Sequence, residues 1–328
     1  MSVPPKVVFV GGYSRSGSTL LDRMLGQLSG FFSTGELGYI WTHGLQANQL
    51  CGCGERFLSC PFWNRVGEAA FGGWDTVDLT EMLSLERSVN RHRFVPFLLA
   101  PRLSEAYRKK LGRYADALAR VFRAIRSVSG ARVIIDSTID PAYGFVLRRV
   151  PGLDLRLVHM VRDSRATAFS WMRWQRKADR LDSVVYQRRF HSTETAVRWV
   201  VFHSLIHLMS AVEPRELLVR YESVVQDPRS EIFRILRHIG EPTEHDLGFI
   251  GDGEVVLQED HTVAGSLMRL KQGPLPVRLD DEWTTRLSPT HRRAVTVLTW
   301  PLLRKYGYTA VGSSARTEAA SSVLARLD

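Results

Sequence analysis

Hydroxyl groups and one guanidinium cluster near the start of the chain, with a spacing that suits anion binding. Residues 14–19 read S-R-S-G-S-T, so that several hydroxyl groups and the charge of Arg15 stand close together. An apolar run at residues 7–10 and two glycines precede this segment, and leucines and methionine at helical spacing follow it. Backbone N–H groups and the positive dipole end of a helix N-terminus bind phosphate or sulfate. The segment therefore predicts a strand, an anion-binding loop and a helix in succession.

The same loop invites comparison with the phosphate loop of nucleotide triphosphatases, G-x-x-x-x-G-K-[ST]. Residues 12–19 match every fixed position except the lysine, where Ser18 stands, and the nearest cation is Arg15. Asp136, at the end of an apolar run, is the only candidate for a magnesium-binding aspartate. The pattern argues against ordinary ATP chemistry, although a magnesium-dependent phosphotransferase remains an alternative.

A second segment, residues 155–171, also predicts a strand followed by a helix. Arg162 lies where the strand should end, and Ser164 is the expected N-cap of a helix that carries Arg165 and Ser170. The segment is thus a second strand-to-helix unit.

Together the two segments resemble the sulfotransferases that use 3′-phosphoadenosine-5′-phosphosulfate (PAPS) as sulfuryl donor. Residues 14–19 are similar to the 5′-phosphosulfate loop of that family, and V-R-D-x-R-x-x-x-x-S at residues 161–170 is similar to its 3′-phosphate site. The likeness extends to about Tyr308. It implies that PAPS is the co-substrate, that PAP is the product, and that two groups of residues bind the donor: Arg15, Ser16, Gly17, Ser18 and Thr19 at the phosphosulfate, and Arg162 and Ser170 at the 3′-phosphate.

Two later segments resemble the family less specifically. Residues 261–273 are similar to the loop that closes over the donor, in which Arg269 and Lys271 would reach a phosphate, and a solvated basic loop is the alternative. Residues 219–228 are similar to a strand and turn of the fold, with a simple capped helix as the alternative.

Glu36 is the candidate general base. It follows Gly35 among apolar and aromatic residues, surroundings that raise the pKa of a carboxyl group, and members of the family carry a glutamate at a comparable place. Arg15 would stabilise charge on the transferring group. A capping box with Ser33 or Thr34 is the structural alternative for Glu36.

The chain departs from the family pattern after the strand that ends at Asp136. Related enzymes often carry D-S-S-K there, whereas this chain has Ile139 in place of the lysine. Arg148 or Arg149 would have to supply the missing cation. The departure leaves open a non-catalytic nucleotide-binding module.

Cysteine and histidine residues raise the question of a metal. Cys51, Cys53 and Cys60 lie within ten residues, and His43 precedes them, but the spacing fits no common zinc module. A local disulfide or free thiols are favoured, and the resemblance suggests a structural lid beside the acceptor pocket. His203 and His207, one helical turn apart with no evident third ligand, are interpreted as structural. We expect no metal.

The predicted fold is α/β: a P-loop-like, three-layer domain with a central, mainly parallel sheet flanked by helices. Strands are expected near residues 7–10, 132–136, 155–161 and 216–220, and the clearest helices at 103–128 and 192–212. Residues 1–310 would form one domain with a helical, acceptor-side insertion at about 63–129, followed by a mobile tail at 311–328. Aromatic residues around the insertion are candidate walls of the acceptor pocket: Trp41, Trp63, Trp74, Phe94 and Phe97.

Composition limits the partners. The 328 residues carry a formal net charge of +10, consistent with an anionic donor, and no nucleic-acid-binding motif accompanies the scattered arginines. No apolar run approaches the length of a membrane span or a signal peptide, so that a cytoplasmic location is expected. The acceptor is a hydroxyl compound of a class that the sequence leaves open, as is the oligomeric state.

Overall fold

The computed structural model describes residues 4–100, 103–174, 186–212 and 216–308. The predicted C-terminal tail lies outside these residues. None of the described helices combines the length and the apolar composition that crossing a bilayer requires.

A five-stranded, wholly parallel sheet forms the centre of the molecule, in the order β2-β3-β1-β4-β5. Its strands are β1 (Lys6–Gly12), β2 (Phe31–Ser33), β3 (Val133–Ile139), β4 (Asp154–Val161) and β5 (Glu216–Arg220). A separate antiparallel hairpin pairs β6 (Glu254–Leu257) with β7 (Gly273–Pro276).

Twelve helices are present in the described part of the chain. They are α1 (Ser18–Gly26), α2 (Pro61–Phe71), α3 (Leu79–Val89), α4 (Val95–Leu99), α5 (Glu105–Ser129), α6 (Pro141–Leu147), α7 (Ser164–Met172), α8 (Ser192–Val212), α9 (Tyr221–Gln226), α10 (Pro228–Ile239), α11 (Trp283–Arg286) and α12 (Pro289–Lys305). Short 3₁₀ turns occur at Leu37–Tyr39, Phe57–Ser59, Trp74–Thr76, His92–Phe94 and Leu267–Leu270, and Ile40–Gln46 is π-helical.

The alternation of side chains along β1 creates the three layers. Val7 and Phe9 face a core shared with α5, α6 and α8, whereas Val8 and Val10 face a second core shared with α1 and α10. Because both faces are covered, the strand is a continuous apolar run rather than an alternating one. The predicted architecture, a parallel sheet between helical layers, is confirmed.

The region between β2 and β3 is largely helical. Helices α2 and α3 pack on α5, whose predicted range of 103–128 becomes Glu105–Ser129. The aromatic residues expected to line an acceptor pocket are partly core, because Trp41 and Trp63 are fully buried there. For these two tryptophans the acceptor-wall interpretation was wrong.

Two glycines at the end of β1 allow close approaches, one to β4 and one to α8. A methyl group on Gly12 would lie 2.3 Å from the carbonyl oxygen of Met160, and one on Gly11 would meet Ile206 at 2.6 Å. Only glycine lets the chain turn here without displacing the neighbouring strand. The loops after β1 and β4 therefore emerge side by side at the carboxyl edge of the sheet.

Candidate functional site

A cavity of about 710 Å³ opens at this carboxyl edge, within the size range of small-molecule sites. It is lined by the loop before α1, by Ser170 and Trp171 in the last turn of α7, and by residues 265–268 and 271. Most residues predicted to act on the donor or the acceptor meet here: Arg15, Gly17, Ser18, Thr19, Glu36, Arg162, Ser170 and Lys271.

The N-terminus of α1 is built by a glycine in a left-handed conformation. Gly17 has φ +83°, and a methyl group there would lie 2.6 Å from the ring of Tyr221. The carbonyl of Gly17 accepts hydrogen bonds from the amides of Leu20 and Leu21 at 3.1 Å, so that the helix begins at Ser18. The first-turn amides and two hydroxyl groups thus lie at the cavity.

Arg15 adds a fixed positive charge to the loop. Its backbone has φ +74°, its guanidinium lies 5.0 Å from the ring centre of Trp171, and it donates to the side-chain oxygen of Gln187. Burial lowers the pKa of Arg15 to about 10, against the opposing effect of Glu36. The guanidinium is therefore charged at neutral pH.

Two of the predicted donor-binding residues have other contacts. The Ser16 hydroxyl is buried and donates to the carbonyl of Tyr13 at 2.5 Å. Arg269 is also buried and donates to the carbonyl of Thr262 at 3.1 Å. Both residues shape the backbone around the cavity, and neither is among the residues that line it.

Glu36 reaches the cavity after a turn that requires glycine. Gly35 has φ +65°, and a methyl group there would lie 2.7 Å from the carbonyl oxygen of Ala264. Burial raises the pKa of Glu36 to about 7; Asp136 adds to the shift, while Arg269 and Arg15 oppose it. The Ser33 hydroxyl donates to the Asp22 carboxylate and the Thr34 hydroxyl to the Ile135 carbonyl at 2.8 Å, so that neither is a cap and the capping-box alternative does not hold.

Asp136 is committed to internal hydrogen bonds. Its carboxylate accepts from the Tyr143 hydroxyl at 2.9 Å, from the Thr138 amide at 3.1 Å and from the Thr138 hydroxyl at 2.5 Å. The residue is fully buried, and burial raises its pKa to about 6. These contacts describe a structural carboxylate in the middle of β3.

Ile139, where the family pattern has a lysine, also lines the cavity. Its φ of +55° is unusual for a β-branched residue and marks local backbone strain beside the site. Arg149, one of the two suggested replacements for the lysine, donates to the carbonyl of Leu98 at 2.6 Å, and neither it nor Arg148 lines the cavity.

Arg162 is held at the end of β4 by several groups. It donates to the carbonyl of Arg15 at 3.1 Å, forms an ion pair of 2.9 Å with Asp280, and lies 4.5 Å from the ring centre of Tyr221. Its Nε is buried and has no hydrogen-bond partner. Ser170 is the other predicted 3′-phosphate ligand and lines the same cavity.

The helix after Arg162 is capped differently from the prediction. Asp163, rather than Ser164, is the N-cap of α7 and accepts from the amide of Arg165 at 2.8 Å. Arg165 also pairs with the Asp163 carboxylate at 2.6 Å, whereas the Ser164 hydroxyl lies 2.8 Å from that of Thr299. A carboxylate at this position caps the helix more strongly than the predicted Ser164 hydroxyl would, because both the helix amide and a buried guanidinium stabilise its charge.

Comparison with protein families gives this geometry its context. A family model described as the sulfotransferase family matches residues 5–245, well over half of the chain. The chain belongs to the sulfotransferase family. The matched residues include both segments that carry the predicted donor site.

Solved structures of other sulfotransferases are similar at low identity. The sulfotransferase domain of the Synechococcus PCC 7002 olefin synthase is 20% identical, covering 92% of this chain and 96% of that one, with a TM-score of 0.48. The sulfotransferase domain from the curacin biosynthetic pathway is 17% identical (91% and 99%; TM-score 0.47). A sulfotransferase from Alicyclobacillus acidocaldarius is 13% identical (93% and 97%; TM-score 0.38). Comparison with curated proteins gave no match.

The loop that carries Lys271 in this sulfotransferase is anchored by a buried arginine of α1. Arg23 pairs with Asp260 at 2.6 Å and donates to the carbonyls of Gln258, Met268 and Lys271 at 2.5–2.8 Å. The segment is therefore anchored through its backbone, whereas Lys271 itself is exposed, and its contact with a phosphate stays a prediction. At residues 219–228, Asp227 caps α10, as the capped-helix alternative proposed.

Sequence reasoning missed several residues at the cavity. Gln187 and Trp171 contact Arg15, while Tyr221 and Asp280 contact Arg162. Trp171 directly follows the second motif, so its place at the site could have been predicted from the sequence. The others lie far from their partners in the chain, and no local pattern marks them.

The histidines of α8 belong to a buried polar network. His203 Nδ1 lies 2.7 Å from His159 Nε2, Glu216 bridges His159 and His207, and the Tyr306 hydroxyl lies 2.8 Å from His207 Nε2. Because these contacts also bring His159 and Glu216 within ligand distance of His207, the structural interpretation of His203 and His207 stays a prediction. The cysteines are free thiols, without a disulfide.

Proposed function

We propose that this sulfotransferase moves the sulfuryl group of PAPS to a hydroxyl group of a small-molecule, carbohydrate or lipid acceptor. One observation carries the proposal: a phosphate-binding helix N-terminus, the Arg162 and Ser170 pair, and a carboxyl group with a raised pKa all line one cavity.

The donor would be bound at both of its anionic ends. Amides and hydroxyls of Gly17, Ser18 and Thr19, with Arg15 and Lys271, suit the 5′-phosphosulfate. Arg162 and Ser170 suit the 3′-phosphate, which would compete with Asp280 for the Arg162 guanidinium. The net charge of +10 favours such a ligand over a neutral one.

The chemistry requires a base and a stabiliser of developing charge. Glu36 would take the proton of the acceptor hydroxyl while the acceptor oxygen forms a bond to sulfur and the bond from sulfur to the phosphate oxygen of PAP breaks. Arg15 and the loop amides would stabilise negative charge on the leaving oxygen. With a pKa of about 7, Glu36 is partly ionised near neutral pH and can both accept and release this proton.

The phosphotransferase alternative has less support. Ser18 replaces the lysine that would reach the β- and γ-phosphates, and Asp136 is occupied by hydrogen bonds from Thr138 and Tyr143. A magnesium ion would have to displace these internal bonds.

Selectivity in ligand binding tests the proposal. Isothermal titration calorimetry would compare PAP, 5′-AMP and ATP with magnesium. We expect PAP to bind about a hundredfold more tightly than 5′-AMP, about 2.7 kcal/mol, because only PAP presents the 3′-phosphate. A preference for magnesium ATP, or equal affinity for PAP and 5′-AMP, would exclude the donor assignment.

Variants locate the selectivity. Ser170→Ala removes one hydroxyl with little steric change, and Arg162→Met removes the charge; both should weaken PAP binding while leaving that of 5′-AMP nearly unchanged. Arg120→Met, on the exposed face of α5, is the matched control and should bind PAP as the unmodified protein does.

A further inference from the structure

Three cysteines of one short segment and a histidine from a distant part of the chain converge on one another. Cys51, Cys53, Cys60 and His261, here called the Cys–His cluster, place their sulfur and nitrogen atoms within 4.8 Å of one another. The Cys60 sulfur lies 3.4 Å and the Cys51 sulfur 3.7 Å from His261 Nδ1, and the sulfurs of Cys53 and Cys60 are 3.7 Å apart. The histidine comes from about 200 positions away in the chain, and His43, the one considered from sequence, is not part of the cluster.

These separations match the edges of a tetrahedral metal site. With Zn–S of about 2.3 Å and Zn–N of about 2.05 Å, tetrahedral angles place two sulfurs about 3.8 Å apart and a sulfur and a nitrogen about 3.6 Å apart. A disulfide would need a sulfur separation of about 2.05 Å. The cluster therefore has the size of a metal site and not that of a cystine bridge.

Backbone amides are directed at all three sulfurs. The amides of Cys53, Glu55 and Trp63 form hydrogen bonds to the sulfurs of Cys51, Cys53 and Cys60, respectively. Hydrogen bonds of this kind orient the ligands of a metal site.

The histidine ring is fixed with Nδ1 toward the sulfurs. Its face stacks on Phe62, with ring centres 4.8 Å apart and planes 8° apart, and the His261 carbonyl accepts the Trp63 indole N–H at 2.9 Å. Cys51 and Cys60 are fully buried. Such orientation by neighbouring groups is typical of ligands in a preorganised metal site.

We propose that the Cys–His cluster binds one zinc ion through three thiolates and His261 Nδ1. Four protein ligands leave no open position, so that the ion is structural and takes no part in sulfuryl transfer. This inference replaces the expectation from sequence that the protein carries no metal.

The ion would tie the cysteine segment to the donor-side loop. Next to the ligands, the Gly52 amide already donates to the Thr262 carbonyl at 3.0 Å. Two residues further along, the Glu36 amide donates to the Ala264 carbonyl at 3.3 Å, immediately before the cavity-lining Gly265. Loss of zinc should therefore loosen the backbone around Glu36 as well as the cluster.

The first test is the metal content of the full-length protein. After growth with zinc, we expect plasma mass spectrometry to find one zinc ion per chain. The three cysteines should react with a thiol reagent only after a chelator has removed the zinc ion. Cobalt substitution should give the visible bands of tetrahedral Co²⁺ together with sulfur-to-cobalt charge transfer. Three reactive thiols without metal after zinc supplementation, or a mass deficit of two hydrogens from a disulfide, would overturn the proposal.

Variants assign the ligands. Cys51→Ser and His261→Ala should bind zinc at least tenfold more weakly, whereas His261→Cys, which offers a fourth thiolate, should retain it. His43→Ala is the matched control and should keep a full complement of zinc. Zinc retained by His261→Ala and lost by His43→Ala would contradict the assignment, and because metal content is the readout, the result is independent of the donor proposal.

Discussion

At the scale of single residues, the pKa of Glu36 determines when the proposed base can act. Burial raises this pKa to about 7, and only the ionised carboxylate accepts a proton. Below that pH the protonated form dominates, so that kcat/KM should rise about tenfold per pH unit up to about pH 7 and level off above it. This rise is measured as kcat/KM against pH, with PAPS as donor and a hydroxyl compound that the enzyme accepts.

Replacing the base separates chemistry from binding. Glu36→Gln should lower kcat by about 100-fold to 10,000-fold, because the amide cannot accept the proton. It should also remove the rise of kcat/KM with pH below about pH 7. PAP affinity, measured by calorimetry, should stay within a few fold. A large loss of affinity would show that Glu36 supports the fold of the cavity rather than the reaction.

Ile139 offers a second test at this scale. Its side chain lines the cavity where the family pattern has a cationic lysine, and its φ is +55°. Ile139→Lys should raise kcat about tenfold, about 1.4 kcal/mol of barrier, because an ammonium would stabilise charge on the transferring group. Ile139→Met, of similar length and uncharged, is the control; equal rates for the two variants would show that the missing cation does not limit turnover.

At the scale of elements, Arg23 joins α1 to the loop that carries Lys271. The guanidinium is buried and bonds to Asp260 and to three backbone carbonyls. Arg23→Met would leave these buried acceptors without a hydrogen-bond donor and should lower the free energy of unfolding by about 3 kcal/mol. PAP binding should also become weaker. Urea unfolding and calorimetry measure both effects. The exposed Arg120→Met should change stability by less than about 0.5 kcal/mol, and a similar result for Arg23→Met would contradict the anchoring role.

Elements set by local sequence were predictable, and those set by distant contacts were not. The β1 unit followed from an apolar run and two glycines, the β4 unit followed from an apolar run, and α8 has the predicted bounds, Ser192–Val212. The three residues of β2 and the short hairpin of β6 and β7 carry too little periodicity to stand out. The same limit explains why Gln187, Asp280 and His261 were missed as partners: each meets a residue more than 100 positions away.

At the scale of the whole molecule, the helical insertion shares its core with the sheet. One continuous cluster contains Trp63 of α2, Leu118 of α5, Phe145 of α6 and Val7 of β1. Since neither part buries its apolar surface alone, we expect insertion and sheet to unfold together in a single urea transition.

Trp63 reports on the insertion, and Trp199 lies in a separate cluster with Leu303. Trp63→Phe and Trp199→Phe each remove one reporter, so the fluorescence of the two variants can be compared with far-ultraviolet circular dichroism. Coincident midpoints are expected; an earlier transition seen only while Trp63 is present would show that the insertion is an independent folding unit.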